Sequence, residues 1–136
     1  MKLITRDTDY ALRALCYSAC HPGQKISVKD IVKKLEIPRS FLRKICQRLN
    51  KKGILKSYKG KGGGFELAIN PNKIYLIDLI EIFQGPLKLN ECMFKNEICP
   101  DIKACPLSKK IERIQKYVFG QLGNITVKSL IDKKGD

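Results

Sequence analysis

A single stretch decides the fold: Arg39-Ser40-Phe41-Leu42-Arg43-Lys44-Ile45-Cys46-Gln47-Arg48-Leu49-Asn50-Lys51-Lys52-Gly53. Its apolar residues recur at helical spacing and predict one buried face, made of Leu42, Ile45, Cys46 and Leu49. Its remaining surface is polar and basic and is free to face outwards, through Arg39, Ser40, Arg43, Lys44 and Gln47. Gly53 is typical of the residue just beyond a helix end. The stretch therefore predicts one amphipathic helix with a basic outer side.

A second, shorter helix is predicted immediately before it. Ser27 is followed three residues later by Asp30, as in an N-cap with an acidic first turn, and apolar residues then continue at helical spacing to Leu35. The break at Ile37-Pro38 separates the two helices. Two short helices joined by a tight turn, the second carrying basic and amide side chains near its start, are typical of a helix-turn-helix with a recognition helix.

A β-hairpin is predicted next. The runs 54–58 and 65–69 alternate in polarity around the connector Lys59-Gly60-Lys61-Gly62-Gly63-Gly64. The glycines allow the backbone to approach another surface closely, and two lysines add positive charge. A nucleotide-binding phosphate loop would need a strand-loop-helix setting and a Gly-Lys-Ser/Thr ending, which this connector lacks. We therefore interpret the hairpin as a wing that contacts DNA.

The charge distribution agrees with this interpretation. The formal net charge is +14, and 13 of the 27 basic residues lie between positions 25 and 61, where only two acidic residues occur. Such a patch attracts a polyanion, most often nucleic acid, with strong salt dependence. A solvated basic surface is the alternative, and the helix-turn-helix pattern favours double-stranded DNA.

Three of the six cysteines, Cys92, Cys99 and Cys105, fall within fourteen residues with the spacing C-x6-C-x5-C. Prolines follow the second and the third, and the intervening residues lack helical or strand periodicity. An ordered loop of this length is uncommon unless something holds it or it is functional. The spacing predicts three thiolates that converge on a metal centre.

The other cysteines allow two interpretations. The segment from Thr8 to Cys20 has helical spacing, so that Cys16 and Cys20 lie one turn apart with His21 adjacent. A metal site is conceivable there, but a fourth ligand is not evident and cysteine packs well as a small core residue. The core interpretation is favoured.

Two function classes are excluded by what the sequence lacks. The start of the chain is polar and charged, and no apolar run approaches the ~18 residues of a membrane span. We expect a cytoplasmic protein without a membrane partner, whose cysteines are thiols, metal ligands or redox sensors rather than structural disulfides. No nucleophile with a base and an orienting acid is evident, and the single histidine lies beside a Pro-Gly turn. The protein is therefore not expected to be an enzyme.

The C-terminal third predicts a helix starting near Leu76, the cysteine loop, and a long helix from Leu107 to Leu122. The long helix carries an apolar stripe, formed by Leu107, Ile111, Ile114, Val118 and Leu122. The stripe either folds back on the head or pairs with a second copy of itself, and we favour the homodimer. The expected fold is mainly α with a small β-hairpin. Its parts are a winged helix-turn-helix head (1–86), a cysteine cluster-binding loop (87–106) and a dimerisation helix with tail (107–136).

Nearly the whole chain resembles the Rrf-two family of bacterial transcription regulators. The resemblance rests on Asp9-Tyr10-Ala11-Leu12-Arg13, on the run from Leu49 to Gly53 leading into the wing Gly60-Lys61-Gly62-Gly63-Gly64-Phe65, and on the three-cysteine loop before the long helix. It implies a winged helix-turn-helix on a dimerising helix that binds an operator and regulates transcription, as a repressor.

The resemblance also implies an iron-sulfur cluster held by Cys92, Cys99 and Cys105, with 4Fe-4S favoured over 2Fe-2S. Some members complete the set with a histidine three residues after the last cysteine, where this chain has Ser108. Others use an N-terminal aspartate from the other subunit, which matches Asp9, with Asp7 as a nearby substitute. The alternative to a protein ligand is a labile, solvent-filled fourth site. The implied signal is nitric oxide, redox state or iron-sulfur status. The alternative is a cluster-free regulator that uses cysteine thiols or zinc as a redox switch, or that responds to an effector or partner protein.

The DNA contacts implied by the family's recognition helix and wing are Arg39, Ser40, Arg43, Lys44, Lys59, Gly60, Lys61 and Gly62. Arginine and lysine can donate to guanine O6 and N7, whereas glycines in a wing allow close approach to a groove.

Overall fold

The computed structural model describes residues 2–89 and 105–132. Within them the elements follow in the order α1 (Arg6–Ala19), α2 (Val28–Leu35), α3 (Arg39–Lys51), β1 (Leu55–Tyr58), β2 (Gly64–Leu67), α4 (Leu76–Gln84), α5 (Pro106–Leu122) and α6 (Val127–Ile131). A short 3-10 turn, Pro71–Lys73, precedes α4. The strands pair antiparallel with Leu55 opposite Leu67 and Tyr58 opposite Gly64. The mainly helical fold with a small hairpin is confirmed.

The ends of the helix-turn-helix follow from local chemistry. The Ser27 side chain accepts a hydrogen bond of 3.0 Å from the Asp30 backbone N–H and so caps α2 as predicted. Glu36 ends α2 in the left-handed conformation, at φ 55°. Pro38 then prevents α2 from continuing into α3. Gly53 follows α3 at φ 77°, which favours glycine.

The core is built around α1, which packs against α2, α3, α4 and α6. Ala11 and Leu15 of α1 are fully buried there. The predicted inner face of α3 is confirmed, because Leu42, Ile45, Cys46 and Leu49 are each at most 3% exposed. Burying each leucine contributes about 1.5–3 kcal/mol. This face holds the recognition helix in a fixed orientation on α1.

The chain returns to the head after α5. Val127 of α6 is fully buried in the main core. The Leu76 N–H donates to the Ile125 carbonyl and the Val127 N–H donates to the Ile74 carbonyl, both at 2.9 Å. The core of the head is therefore completed by residues from beyond the cysteine segment.

Helix α5 is packed mainly through its C-terminal end. Leu122 joins a second buried cluster with Leu76, Ile80 and Leu87. Farther towards its start, Leu107 is 64% and Ile114 is 55% exposed. Of the predicted stripe, Leu122 and Val118 pack on the second cluster and Ile111 is half-buried, whereas Leu107 and Ile114 stay exposed in the monomer.

Candidate DNA-binding cleft and metal ligands

An open cleft of about 430 Å³ lies between α3 and the hairpin. Its wall on α3 is formed by Arg39, Arg43 and Gln47, and its wall on the hairpin by Ser57, Tyr58 and Lys59. Three cations therefore line a cleft whose lining contains no carboxylate. The arrangement attracts an anionic ligand that is long enough to touch both the helix and the wing.

The polar and basic residues of α3 point in different directions. Because successive helical residues are rotated by about 100°, Ser40, Lys44 and Gln47 point most directly away from the buried face. Arg39 and Arg43 are turned towards the hairpin and line the cleft. The four predicted contacts on α3 are all exposed. Ser40, Arg43 and Lys44 lie on its outer half, whereas Arg39, seven residues before Cys46, lies nearer the inner side at the start of the helix. Gln47, which was predicted to face outwards but was not among the predicted DNA contacts, lies beside them.

Lys44 also borders a second hollow, of about 210 Å³, on the side of α3 away from the hairpin. The hollow is lined by Asp7 from the start of α1, by Phe83 from α4, and by Phe41, Ile45 and Arg48 of α3. The Arg48 guanidinium lies 5.6 Å from the centre of the Phe83 ring, a cation-π distance. This side of α3 therefore faces the first helix and α4.

The predicted wing contacts are presented together at the hairpin tip. Lys59, Gly60, Lys61 and Gly62 are all exposed. Gly60 and Gly62 have φ of 86° and 74°, and a side chain there would meet no protein atom within 4 Å. Their left-handed backbone explains the glycines, and the open space leaves the tip free to approach another molecule.

The start of β2, next to the hairpin loop, is tied to the residue before the helix-turn-helix by backbone pairing. The Ile26 N–H donates to the Phe65 carbonyl and the Phe65 N–H donates to the Ile26 carbonyl, both at 2.7 Å. A Cβ at Gly64 would stand 2.5 Å from the Ile26 carbonyl oxygen. Only glycine allows this close pairing, which fixes the wing beside α2 and α3.

Tyr58 contacts two charged residues at the side of the wing. The Lys25 ammonium lies 4.1 Å from the centre of its ring, and its hydroxyl donates a hydrogen bond to Glu66. That hydrogen bond, with a smaller effect of burial, raises the pKa of Tyr58 above its ordinary value. The contacts engage the only carboxylate of the hairpin and hold Lys25 beside the cleft.

The proposed metal ligands lie in different parts of the chain. Asp9 lies on the first turns of α1, with its side chain 42% exposed, and its Oδ2 accepts a 2.9 Å ion-pair hydrogen bond from Arg13 Nε. Cys105 is half-buried and directly precedes α5. Cys92 and Cys99 lie outside the described residues. Among residues 2–89 and 105–132, no three candidate ligands form a metal-binding group.

Both ends of the segment that contains Cys92 and Cys99 are attached to α5. The Leu89 N–H donates to Gln115 Oε1 at 3.2 Å, and Leu87 is buried beside Leu122. Cys105 lies ten residues before Gln115, which corresponds to about 15 Å along the helix axis. The described residues on both sides of this segment therefore contact α5 or lead directly into it.

The cysteines of the head differ in chemistry. Cys46 is fully buried, and burial raises the pKa of its thiol to about 12. Burial, and to a smaller extent Cys20, raises the pKa of the Cys16 thiol to about 11. The His21 Nδ1 lies 2.9 Å from the Tyr17 carbonyl oxygen, which can only accept a hydrogen bond. The centres of the His21 and Tyr17 rings are 4.6 Å apart, with the ring planes tilted by 38°. Cys46 is confirmed as a core residue and Cys16 is half-buried, whereas Cys20 is exposed, so the core interpretation was wrong for Cys20. His21 contacts Tyr17 in the last turn of α1.

Sequence reasoning missed Lys25, Ser57 and Tyr58 as neighbours of the cleft. Their positions depend on the pairing of Ile26 with Phe65, which joins segments far apart in the chain. The alternation of the hairpin does not reveal which of its faces meets α3. Gln47 could have been predicted, because it lies at helical spacing from Ser40 and Arg43 on the outer side.

A helix-turn-helix with a basic cleft closed by a two-stranded wing defines the winged-helix class of transcription regulators. A family model named Rrf2, described as iron-dependent transcriptional regulator, matches residues 4–133. The chain belongs to this family, the Rrf-two family inferred from its sequence.

Individual relatives agree with this placement. The chain is 35% identical over 125 residues to a protein of Aquifex aeolicus whose name places it among HTH-type transcriptional regulators, covering 90% of this chain and 87% of the relative. It is 28% identical over 138 residues to the HTH-type transcriptional regulator NsrR of Bacillus subtilis, covering 100% and 94%. The structure of CymR, the global cysteine regulator of B. subtilis, has a TM-score of 0.80, 25% identity, and coverage of 96% and 97%. These relatives are regulators rather than enzymes.

In the part of the chain that the structure describes, no helix is both long and apolar enough to cross a lipid bilayer.

Proposed function

We propose that the protein binds operator DNA as a homodimer and represses transcription under the control of an iron-sulfur cluster. The observation that carries the proposal is the basic cleft between α3 and the hairpin, where Arg39, Arg43 and Lys59 converge. Each α3 enters a major groove and each wing lies over the neighbouring minor groove, on half-sites about one or two helical turns apart.

The proposed DNA contacts are of two kinds, phosphate contacts and base contacts. Arg39, Lys59 and Lys61 bind phosphates and set the affinity, while Gly60 and Gly62 let the wing backbone approach the minor groove. The base contacts come from the outer half of α3, where Arg43 and Lys44 donate to guanine O6 and N7 and Ser40 adds a further hydroxyl.

The homodimer forms through the uncovered side of α5. Leu107, Ile114 and Tyr117 are 64%, 55% and 68% exposed. They recur at helical spacing on the part of α5 that does not pack on the head. A twofold-related copy of the same face covers these side chains and brings two heads to a fixed separation. In the sequence, the cysteine-containing part, 87–106, lies between the head, 1–86, and α5 of the dimerisation part, 107–136, whose α6 packs back into the core of the head.

The donor set fits an iron-sulfur cluster. Cys92, Cys99 and Cys105 supply three soft thiolate ligands, and Cys105 stands at the positive end of the α5 dipole, which favours an anionic ligand. Asp9 of the partner subunit is the fourth ligand, with one carboxylate oxygen in an ion pair with Arg13. Held by these residues, a 4Fe-4S cluster would supply a cross-link that is sensitive to nitric oxide or oxygen. The thiolates would hold the segment before α5, and the carboxylate would hold α1 of the partner.

Anaerobic purification followed by iron and sulfide analysis tests the cluster. We expect visible absorption and about four irons per chain for a 4Fe-4S centre, with strong loss in Cys105→Ser and little loss in Cys20→Ser. Mössbauer spectra before and after nitric oxide identify the cluster and its reaction. Colourless, iron-free protein after reconstitution would contradict the cluster.

A cluster-free regulator is the second candidate, favoured by the similarity to the CymR structure. In it the same cysteines act as a thiol redox switch or bind zinc, or an effector or partner protein supplies the signal. Zinc in place of iron and sulfide, or a redox-dependent operator affinity without metal, supports this candidate.

A further inference from the structure

We infer that Gln84 is a positioning residue that fixes the first turn of α1, and Asp9 with it, to the end of α4. The inference rests on the proposed function and deepens it, because it names the contact through which the cysteine segment acts on the recognition helix. It follows from a set of hydrogen bonds between distant parts of the chain.

The Gln84 side chain makes three hydrogen bonds to the start of the chain. Its Oε1 accepts from the Thr8 hydroxyl at 2.7 Å and from the Thr5 N–H at 2.9 Å. Its Nε2 donates to the Leu3 carbonyl at 3.2 Å. Both polar ends of one amide are therefore used on the N-terminal turn of α1.

These bonds replace a cap that α1 lacks. Thr5 occupies the N-cap position of α1, but its side chain makes no capping hydrogen bond. The first N–H groups of a helix need an acceptor, and Gln84 supplies one from another helix. Thr8 is fully buried, so that its hydroxyl depends on Gln84 and on the Thr5 hydroxyl, 3.2 Å away.

Gln84 lies close in the chain to the cysteine segment. It is the last residue of α4, and only a short connection, anchored by Leu87, separates it from the segment that begins before Cys92. On the other side of the contact, Thr8 lies between Asp7 and Asp9. A shift of the α4 end is therefore passed to the carboxylates of α1.

The contact continues to the recognition helix. Tyr10 packs edge-on against Phe41, with ring centres 6.4 Å apart and an interplanar angle of 61°. Phe41 lies on the first turn of α3, next to Ser40. The hydrogen bond of Gln84 to Thr8 and the packing of Tyr10 on Phe41 are thus joined only by the backbone of α1, which links the end of α4 to the DNA-binding surface.

Matched variants test this role. Gln84→Met keeps the length of the side chain but removes both hydrogen-bonding groups, whereas Gln84→Glu keeps an oxygen that can accept from Thr5 and Thr8. Gln24→Met, exposed beyond the other end of α1, is the control for the same substitution.

Hydrogen exchange of the cluster-free protein is the first measurement. In Gln84→Met we expect the amides of the first α1 turns to exchange about tenfold faster, because the turn loses its external cap. Gln84→Glu restores most of the protection, and Gln24→Met leaves this region unchanged. Unaltered exchange in Gln84→Met overturns the inference.

The second measurement is the ratio of operator Kd between the cluster-free and cluster-loaded forms. A working switch gives a ratio of about 5–150 in the wild type. In Gln84→Met we expect normal iron content, because the thiolates remain, but a ratio near one. Gln84→Glu keeps most of the coupling. If Gln84→Met keeps the same ratio of operator Kd values as the wild type, even with reduced thermal stability, the role of Gln84 is purely structural and the inference is overturned.

Results on the wild type test the proposed function separately from results on the Gln84 variants. A wild type without a cluster, or with a ratio of one, contradicts the proposed switch and the regulatory role of Gln84 together. Failure confined to the Gln84 variants contradicts the inference alone.

Discussion

Gly63 lies directly against the carbonyl oxygen of Tyr58, so that a Cβ at residue 63 would overlap that oxygen. The wing thus needs this glycine for its own packing, whereas Gly60 and Gly62 have open space around them. The four wing glycines therefore serve two purposes: Gly63 and Gly64 allow close backbone packing against Tyr58 and Ile26, whereas Gly60 and Gly62 shape the tip.

Substitution of Gly63 tests the first purpose. Gly63→Ala forces the strands apart, at a cost of about 1–3 kcal/mol by analogy with overpacking. We expect operator affinity to fall about tenfold or more, measured by fluorescence anisotropy. Gly120→Ala on α5 is the control, because alanine meets no atom there. It should raise the free energy of unfolding by about 0.5–1 kcal/mol. Unchanged operator affinity in Gly63→Ala would show that the wing does not contact DNA.

Substitution of Arg43 and substitution of Lys59 should weaken DNA binding in different ways. Arg43→Ala is expected to weaken specific operator binding by about 1–3 kcal/mol and to relax sequence preference. Lys59→Ala should weaken binding to all sequences and lower the salt slope by about 1. The measurements are Kd values for operator and unrelated DNA at several salt concentrations. Arg113→Ala, exposed on α5, is the control. Loss of affinity in Arg113→Ala equal to that in Arg43→Ala would contradict the cleft as the DNA site.

The exposed face of α5 predicts a change in oligomeric state. Ile114→Glu places a charge in the proposed dimer interface, where its desolvation is unfavourable. We expect a dimeric wild type and a monomeric variant by light scattering coupled to size-exclusion chromatography. Leu130→Glu, at a similarly exposed apolar residue on α6, should remain dimeric. A dimer that survives Ile114→Glu but not Leu130→Glu would move the interface to α6.

Cys46 predicts a pH dependence of stability. Its thiol has a pKa of about 12 in the folded protein, against an ordinary 9.0, because it is buried. Its contribution is complete below pH 9 and declines above it, since only the unfolded chain then releases the proton. Cys46→Ala should cost about 1 kcal/mol at pH 7, yet lose less stability than wild type between pH 9 and 11. Parallel denaturation curves across this range would contradict a buried neutral thiol.

Local patterns were sufficient for the elements of the fold. Ser27 with Asp30, the apolar face from Leu42 to Leu49, and Gly53 each act within a few residues, so that periodicity and capping predict them. Cys105 was likewise placed correctly just before the long helix.

Contacts between distant segments were beyond such patterns. The pairing of Ile26 with Phe65 and the hydrogen bonds of Gln84 to Thr5 and Thr8 depend on how whole elements pack. The burial of Val127 in the head core was missed for the same reason, because it depends on the return of the chain after α5. The assignments of Cys92 and Cys99 remain predictions.

The most direct test of the account is the operator Kd of anaerobically prepared, cluster-loaded protein, compared with the same preparation after the iron is removed by chelation. We predict that the two values differ by about 5–150-fold, and that the difference vanishes in Cys105→Ser but persists in Cys20→Ser. Equal affinities of the loaded and iron-free wild type would contradict the claim that a cluster controls DNA binding.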